Sequence, residues 1–347
     1  MRGKVRLALT LGLVVVLGIV TGFTASPAKQ VLHMYTALDV DEARIYIEAF
    51  EKSYPDIEVK WVRMSAGEIL ARVRAEAGRP GASIWFGGPS TSHIAAAKEG
   101  LLEPYKESLA WQYLPAEYKD SDGYWAGFYT GYIGFVTNKD FLEEHGVEAP
   151  TSWYDLLNPV FKGEISMAYP YTSGTAYTTL ISILQALGPE KLGWDEEDID
   201  YIKKLDAQMH HYTRAGSACV TEVGMGEVAV GIAFSHDILA KGVAKGYPVV
   251  MTFPKEGTGY EIGAVSLLKG GPEPELAKVF YDWIMSAEAQ SLFKLWYRVP
   301  LNPEAELGEG VVTAAEVPVI EGFGERIMWY GEHKDEIIAK WRELTGK

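Results

Sequence analysis

The chain has 347 residues, more than one ordinary domain needs, and 48% of them are hydrophobic, so two lobes with substantial cores are expected. A formal net charge of −15 argues against nucleic acid and anionic lipid as partners. Cys219 is the single cysteine and cannot form an internal disulfide, which excludes a disulfide-stapled scaffold.

Residues 1–28 read as an export signal rather than as part of the fold. Arg2, Lys4 and Arg6 form a basic start, residues 7–20 an apolar core, and Ser26-Pro27-Ala28 a small-residue cleavage site. The apolar core is short for a membrane span, and no cysteine near the cleavage point offers a lipid anchor. A soluble mature protein from about Lys29 is expected, periplasmic or otherwise extracytoplasmic. Loss of three basic residues takes its net charge from −15 to −18.

Strands and helices then alternate. Residues 31–35 are a first buried strand, 45–54 a helix closed by Tyr54-Pro55, and 57–62 an alternating second strand. A helix over 68–76 ends at Gly78. A third strand over 82–86 runs into Gly87-Gly-Pro-Ser-Thr91, which opens a helix over 92–99. Such alternation predicts parallel, doubly wound sheets. Residues 127–137 are extended, long and glycine-rich, as expected of a strand crossing between lobes. Asn138 starts the next helix.

Residues 165–184 organise the second lobe. A short strand over 165–168 is stopped by Pro170. Ser173-Gly174-Thr175 sits at a helix start, where hydroxyls cap free N–H groups and glycine lets a ligand approach the backbone. Leu180, Ile181, Leu184 and Leu187 follow at helical spacing, and Gly188-Pro189 ends the run. A helix over 198–209 and a glycine-rich turn at Gly216-Ser217 come next. A strand over 227–235 places His236 and Asp237 at its carboxyl end. Residues 260–268 return between the lobes, 274–296 are amphipathic, and 325–344 form a last helix. The expected division is 29–127 with 259–310 in one lobe, and 128–258 with 311–347 in the other. Hinges are expected at 127–130 and 257–263, and ligands in such sheets lie beyond the carboxyl ends of the strands.

The order of several weak motifs carries a resemblance. They are Tyr35-Thr-Ala-Leu38, Ile84-Trp-Phe-Gly-Gly-Pro-Ser90, Gly134-Phe-Val-Thr-Asn-Lys-Asp-Phe141, Tyr169-Pro-Tyr-Thr-Ser-Gly-Thr175, Gly226-Glu-Val-Ala-Val-Gly231 and Trp283-Ile-Met-Ser-Ala-Glu-Ala-Gln290. Over nearly the whole mature chain they resemble the periplasmic solute-binding proteins of ABC importers, in the group with ferric-iron, polyamine, hexose-phosphate and phosphonate binders. The resemblance implies a type II periplasmic-binding-protein fold. It also implies a monomeric clamp that closes by hinge bending and docks on a membrane permease.

The residues favour an anionic ligand. Thr36-Ala37, Ser65-Ala-Gly67, Gly88-Pro-Ser90, Ser173-Gly174-Thr175 and Gly216-Ser217 each occupy a strand-to-helix turn that can aim N–H groups at the cleft. His236, Asp237 and Glu261 suit an organic moiety bearing hydroxyls or an amine. The expected ligand is thus a phosphorylated sugar or an organophosphonate, with no cofactor. Ferric-iron members of the group carry adjacent tyrosines where this chain reads Ser235-His236-Asp237-Ile238. His33, Asp39 and Glu68 keep iron open, and the aromatics keep a polyamine open. Tyr129 and Tyr132 are read as crossover packing. No Gly-x-Ser-x-Gly elbow, His-Glu-x-x-His motif or Walker loop supports the alternative of a secreted hydrolase. His210 and His211 are expected to face opposite ways on an extended chain, and Cys219 to be a small buried side chain.

Overall fold

The computed structural model describes residues 29–188 and 192–347. The expected export signal and Pro189 lie outside the described residues. The first half of the chain supplies β1 (Gln30–Thr36), α1 (Val40–Ser53), β2 (Ile57–Arg63), α2 (Ala66–Ala75), β3 (Ile84–Pro89), α3 (Ser90–Lys98) and β4 (Leu102–Glu103). The short α4 (Ala110–Tyr113), β5 (Ala126–Asn138) and α5 (Lys139–His145) follow. Next come β6 (Ile165–Ala168), α6 (Gly174–Leu187), α7 (Glu196–Gln208), β7 (Met209–Thr213), α8 (Ala218–Met225), β8 (Val230–Phe234) and α9 (Ser235–Asp237). The chain then returns through β9 (Val249–Thr252), β10 (Tyr260–Leu268), α10 (Pro274–Ile284), α11 (Ala287–Gln290), β11 (Val299–Pro300), α12 (Phe323–Glu332) and α13 (Lys334–Thr345).

The main strand order is β2-β1-β3-β10-β5-β8-β6-β7. Strands β1, β2 and β3 pair in parallel, as do β6, β7 and β8, which is what alternating βα units produce. β5 and β10 run against their neighbours and join two halves. Residues Ala126 to Tyr132 of β5 pair with β10, and Ile133 to Thr137 pair with β8. The change of partner therefore falls at Tyr132–Ile133, a little beyond the expected crossing at 127–130. Residues 128–132, assigned to the second lobe from sequence, are laddered into the first.

Each half is a sheet covered by helices on both faces, and strand alternation decides which core a residue enters. In β3, Ile84 and Phe86 join Tyr46, Phe50, Phe280 and Phe293 on one face. Trp85 points the other way, to Ile69, Leu70 and Ala95. In the second half Tyr177, Leu180, Leu184 and Trp341 fill one face, and Val136, Val220 and Val223 the other. Each such side chain contributes about 1.5–3 kcal/mol by leaving water.

Three expectations change. Strand β7 was missed: Met209–Thr213 pairs with β6 in parallel although every side chain is exposed or half-buried. The final helix is two helices, broken at His333, and the residues on α12 and α13 bind the halves together. Ile94 of α3 sits in the same core cluster as Ile327, Tyr330 and Ile337, and Arg74 pairs with Asp335 at 2.7 Å. His210 and His211 do not diverge: their Nδ1 atoms are 2.7 Å apart, and His211 Nε2 lies 3.1 Å from Glu222. Cys219 is buried against the Gly216 and Ile232 carbonyls, as a small packing residue should be.

Lys334 is the poorest-matched group in this packing. It is 2% exposed, its Nζ lies 3.3 Å from the centre of the Tyr177 ring, and it has no hydrogen-bond acceptor. Burial holds its amine well below the ordinary lysine range. A ring face offsets part of the lost hydration, but an apolar chain of similar length suits the site better. Lys334→Met should therefore raise stability by about 1–3 kcal/mol, seen as a higher melting temperature; a fall would show that the ammonium–ring contact outweighs its desolvation.

Candidate functional site

A small polar cavity lies where the two halves meet. Five helix starts face it. Asp39 caps α1, Ser65 precedes α2, Pro89 precedes α3, Ser173 caps α6 and Ser217 precedes α8, and all five residues line the cavity. Three of these helices follow strands of the first half and two follow strands of the second. This is the consequence of parallel βα units: every strand in the set ends on the same edge.

The tightest of these turns is at α6. Ser173 accepts from the Ala176 N–H at 3.3 Å, while the first-turn N–H groups of Gly174 and Thr175 have no acceptor within their helix. Gly174 faces the first half so closely that a Cβ there would lie 2.4 Å from Pro89 Cδ. No larger residue allows this approach.

Polar contacts cross the cleft around the cavity. Gly67 N–H donates to the Thr172 carbonyl at 2.9 Å, and Ser65 Oγ donates to the Arg214 carbonyl at 3.2 Å. Glu68 pairs with Arg214. Lys241 lies on a π-helical turn, Ile238–Val243, and donates to Asp39 at 2.8 Å and to Ser217 at 3.0 Å. Burial opposes ionisation of Asp39, but the Lys241 ammonium outweighs it and keeps the carboxyl below its usual range. Arg63 lines the same end and donates to the Leu38 carbonyl and to Ser65.

The opposite end is built from buried ionisable groups. Arg298 is 4% exposed and forks onto Glu42, with Nη2 donating at 2.8 Å. Its Nη1 donates to Glu261 at 2.8 Å, and its guanidinium stacks 3.9 Å above Tyr129. Burial opposes the Arg298 charge, but Glu42, Tyr129 and Glu261 hold the group well above its ordinary value. Burial pushes Glu261 up to about 8 against the pull of Arg298. Burial also raises Asp237 and, with Arg298, keeps His236 well below its usual value and therefore neutral.

His236 is 1% exposed and neither ring nitrogen has a hydrogen-bond partner in the protein. Its Nε2 lies 3.4 Å from Glu261 and 3.8 Å from Asp237. The ring is seated against Gly131, where a Cβ would fall 2.2 Å from Nδ1. A neutral imidazole and two carboxyl groups that burial pushes toward their protonated forms offer donors and acceptors at one wall.

Of the residues expected at the site, Ala37, Ser65, Gly88, Ser173, Gly174, Thr175, Ser217, His236, Asp237 and Glu261 line this one cavity. Thr36 and Ser90 do not. Thr36 is fully buried, with its hydroxyl accepting from Leu38 N–H, and Ser90 is buried one residue inside α3. Tyr129, read as crossover packing, is part of the lining. Of the three possible iron donors only Asp39 lines the cavity; His33 pairs with Glu273 and Glu68 with Arg214. Arg63 carried an unused signal, since it ends β2 on the same edge as the other turns. Arg298 carried none: its partner Glu42 is 256 residues away.

A family model described as bacterial extracellular solute-binding protein matches residues 46–319. An uncharacterized protein of Haemophilus influenzae is 34% identical over 307 residues, 85% of this chain and 84% of that protein. A probable ABC transporter periplasmic-binding protein of Sinorhizobium fredii is 29% identical over 72% of this chain and 68% of its own length. A putative 2-aminoethylphosphonate-binding periplasmic protein of Salmonella typhimurium is 23% identical over 87% of each. Among solved structures, the periplasmic binding protein AfuA of Actinobacillus pleuropneumoniae with fructose-6-phosphate bound is 30% identical, with TM-score 0.84 over 92% of this chain and 99% of that one. Iron-bound HitA of Pseudomonas aeruginosa shares the fold, with TM-score 0.75 at 19% identity over 90% and 99% of the two chains. This chain belongs to the bacterial extracellular solute-binding proteins and is the extracytoplasmic binding component of an ABC importer.

Proposed function

We propose that the protein captures a small solute carrying a phosphate or phosphonate and an organic part with hydroxyl groups, of which a sugar phosphate is the favoured example. The observation that carries this reading is the convergence of five helix starts on one cavity. Aligned peptide dipoles and free N–H groups favour an anion there. Ser173, Thr175 and Arg63 hold the charged end; His236, Asp237 and Glu261 read the organic end. AfuA, 30% identical, has fructose-6-phosphate bound, a ligand of this class. Capture proceeds by hinge closure and delivery to a permease, after export with the signal at residues 1–28 removed. The protein acts as a monomer.

A phosphonate bearing an amine is the second reading. Asp39, Asp237 and Glu261 bring three carboxyl groups to the lining, and an ammonium group suits them. Direct iron binding has less support: where ferric-iron members of the group carry adjacent tyrosines, this chain reads Ser235-His236-Asp237-Ile238.

Mass spectrometry of the small molecule that co-purifies with the mature protein tests the ligand class, and a metal ion alone would overturn it. A hydrogen bond to a charged group contributes roughly 1.5–3 kcal/mol. Ser173→Ala and Thr175→Val should each weaken binding of the phosphorylated ligand about tenfold to a hundredfold. Calorimetry showing full affinity in both variants would move the anion elsewhere.

Closure has its own measurement. Ligand added to the free protein should lower the radius of gyration in solution scattering, as rigid halves turn about β5 and β10. A profile unchanged at saturation argues against a clamp.

A further inference from the structure

The reading end of the cavity is held by residues that do not line it. Glu42 on α1 is fully buried and makes its polar contacts to Arg298 and Tyr46. Trp296 is 8% exposed, and its indole N–H donates to Asp237 Oδ1 at 3.4 Å. Trp296 and Arg298 are separated by Tyr297, whose φ of 55° is the sole positive φ of a non-glycine among the described residues. Such a conformation persists only where its surroundings hold it in place. Here it turns the chain sharply, so that Trp296 and Arg298 reach the two carboxyl groups of the reading end, Asp237 and Glu261.

We propose that Glu42 and Trp296 are positioning residues that determine which organic moiety the cavity accepts: Glu42 acts through Arg298 on Glu261, and Trp296 acts on Asp237. The inference rests on the reading of His236, Asp237 and Glu261 as the organic end. The guanidinium has five N–H groups in a fixed fork, and Glu42 takes one from Nε and one from Nη2. Nη1 is thereby aimed at a single Glu261 oxygen, and the other oxygen is left to the ligand. Burial raises Glu42 against the pull of Arg298, and its fork on the guanidinium offsets part of the charge that Glu261 feels. The groups facing Glu261 are Arg298, His236, Asp237, Glu42 and, on β5, Tyr129. Burial foremost pushes Glu261 up to about 8, with the Glu42 charge a smaller contribution in the same direction, so that Glu261 presents a donor at neutral pH. Without that charge, Arg298 draws the Glu261 proton off at lower pH, and the donor becomes an acceptor.

The test uses Glu42→Gln and Trp296→Phe in the full mature protein. Carbon-13 NMR of glutamate carboxyls, with the Glu261 signal assigned from Glu261→Gln, follows the titration without ligand. In Glu42→Gln the Glu261 midpoint should move down; an unmoved midpoint overturns the role of Glu42. Calorimetry with fructose 6-phosphate and with inorganic phosphate reads selectivity. Trp296→Phe should reduce the preference for the sugar phosphate roughly tenfold, as loss of a hydrogen bond to a carboxylate implies, while inorganic phosphate binds as before. Equal weakening of both ligands, with a lower melting temperature, would make Trp296 a packing residue only and overturn its part. If the unaltered protein binds neither probe, the anion reading fails, and the carboxyl titration still decides the role of Glu42. If Glu42→Gln cannot be purified folded, Glu42→Asp, too short to hold both Nε and Nη2 of Arg298, takes its place: its preference for fructose 6-phosphate over inorganic phosphate should fall, and an unchanged preference overturns the role of Glu42.

Discussion

A buried guanidinium must be matched by its surroundings, and Arg298 is that group. Removing it from water is costly, so it persists only with a fork-shaped partner and further contacts. Glu42 supplies the fork, Glu261 a second acceptor and Tyr129 a ring face. These three come from α1, the returning strand β10 and the crossing strand β5. One charge thus ties a helix of the first half to both strands that join the halves. It also sets the floor of the cavity, because Glu261 and Tyr129 are lining residues.

The same economy explains the two ends of the cavity. At one end stand helix starts and hydroxyls, which carry partial charge and need no counter-ion; in the proposed function they meet the charge of the solute. At the other, full charges are buried and therefore paired. His236 is the exception, a neutral ring with both nitrogens unbonded inside the protein. A buried polar group without a partner is disfavoured unless something else supplies the bond. Its position against Gly131 leaves the cavity as the direction from which that bond can come.

Local pattern made the architecture readable. Alternating strands and helices, glycine-rich crossovers and hydroxyl residues at strand ends are short-range features, and they located β6, β10 and most of the cavity lining. What stayed hidden depended on distance in sequence or on tertiary cover. β7 has no apolar face, so nothing in Met209–Thr213 announces a strand; pairing with β6 decides it. Arg298 follows an amphipathic stretch and reads as a surface residue until Glu42 is brought beside it. Tyr129 reads as packing because its ring does pack, against Phe128 and Phe293, while its hydroxyl accepts from Gly88 N–H at 3.3 Å. Thr36 and Ser90 failed for the opposite reason. Their turns face the cavity, but their own side chains are turned into the protein.

The contacts that hold the halves together suggest how closure is controlled. Glu68–Arg214 is largely solvent-exposed on the arginine side, and a pair of this kind contributes about 0–1 kcal/mol and weakens with salt. Asp39–Lys241 is mostly buried, and its desolvation offsets much of its attraction. The backbone bond from Gly67 to Thr172 replaces bonds that water would otherwise make, so its net contribution is also modest. Alone, such contacts do not commit the halves to a closed state. A solute that accepts from helix starts on both sides adds an interaction present only when the halves meet. Under the proposed clamp mechanism the ligand selects the closed form by its differential affinity for it, and the weakness of the protein's own latch lets the form open again.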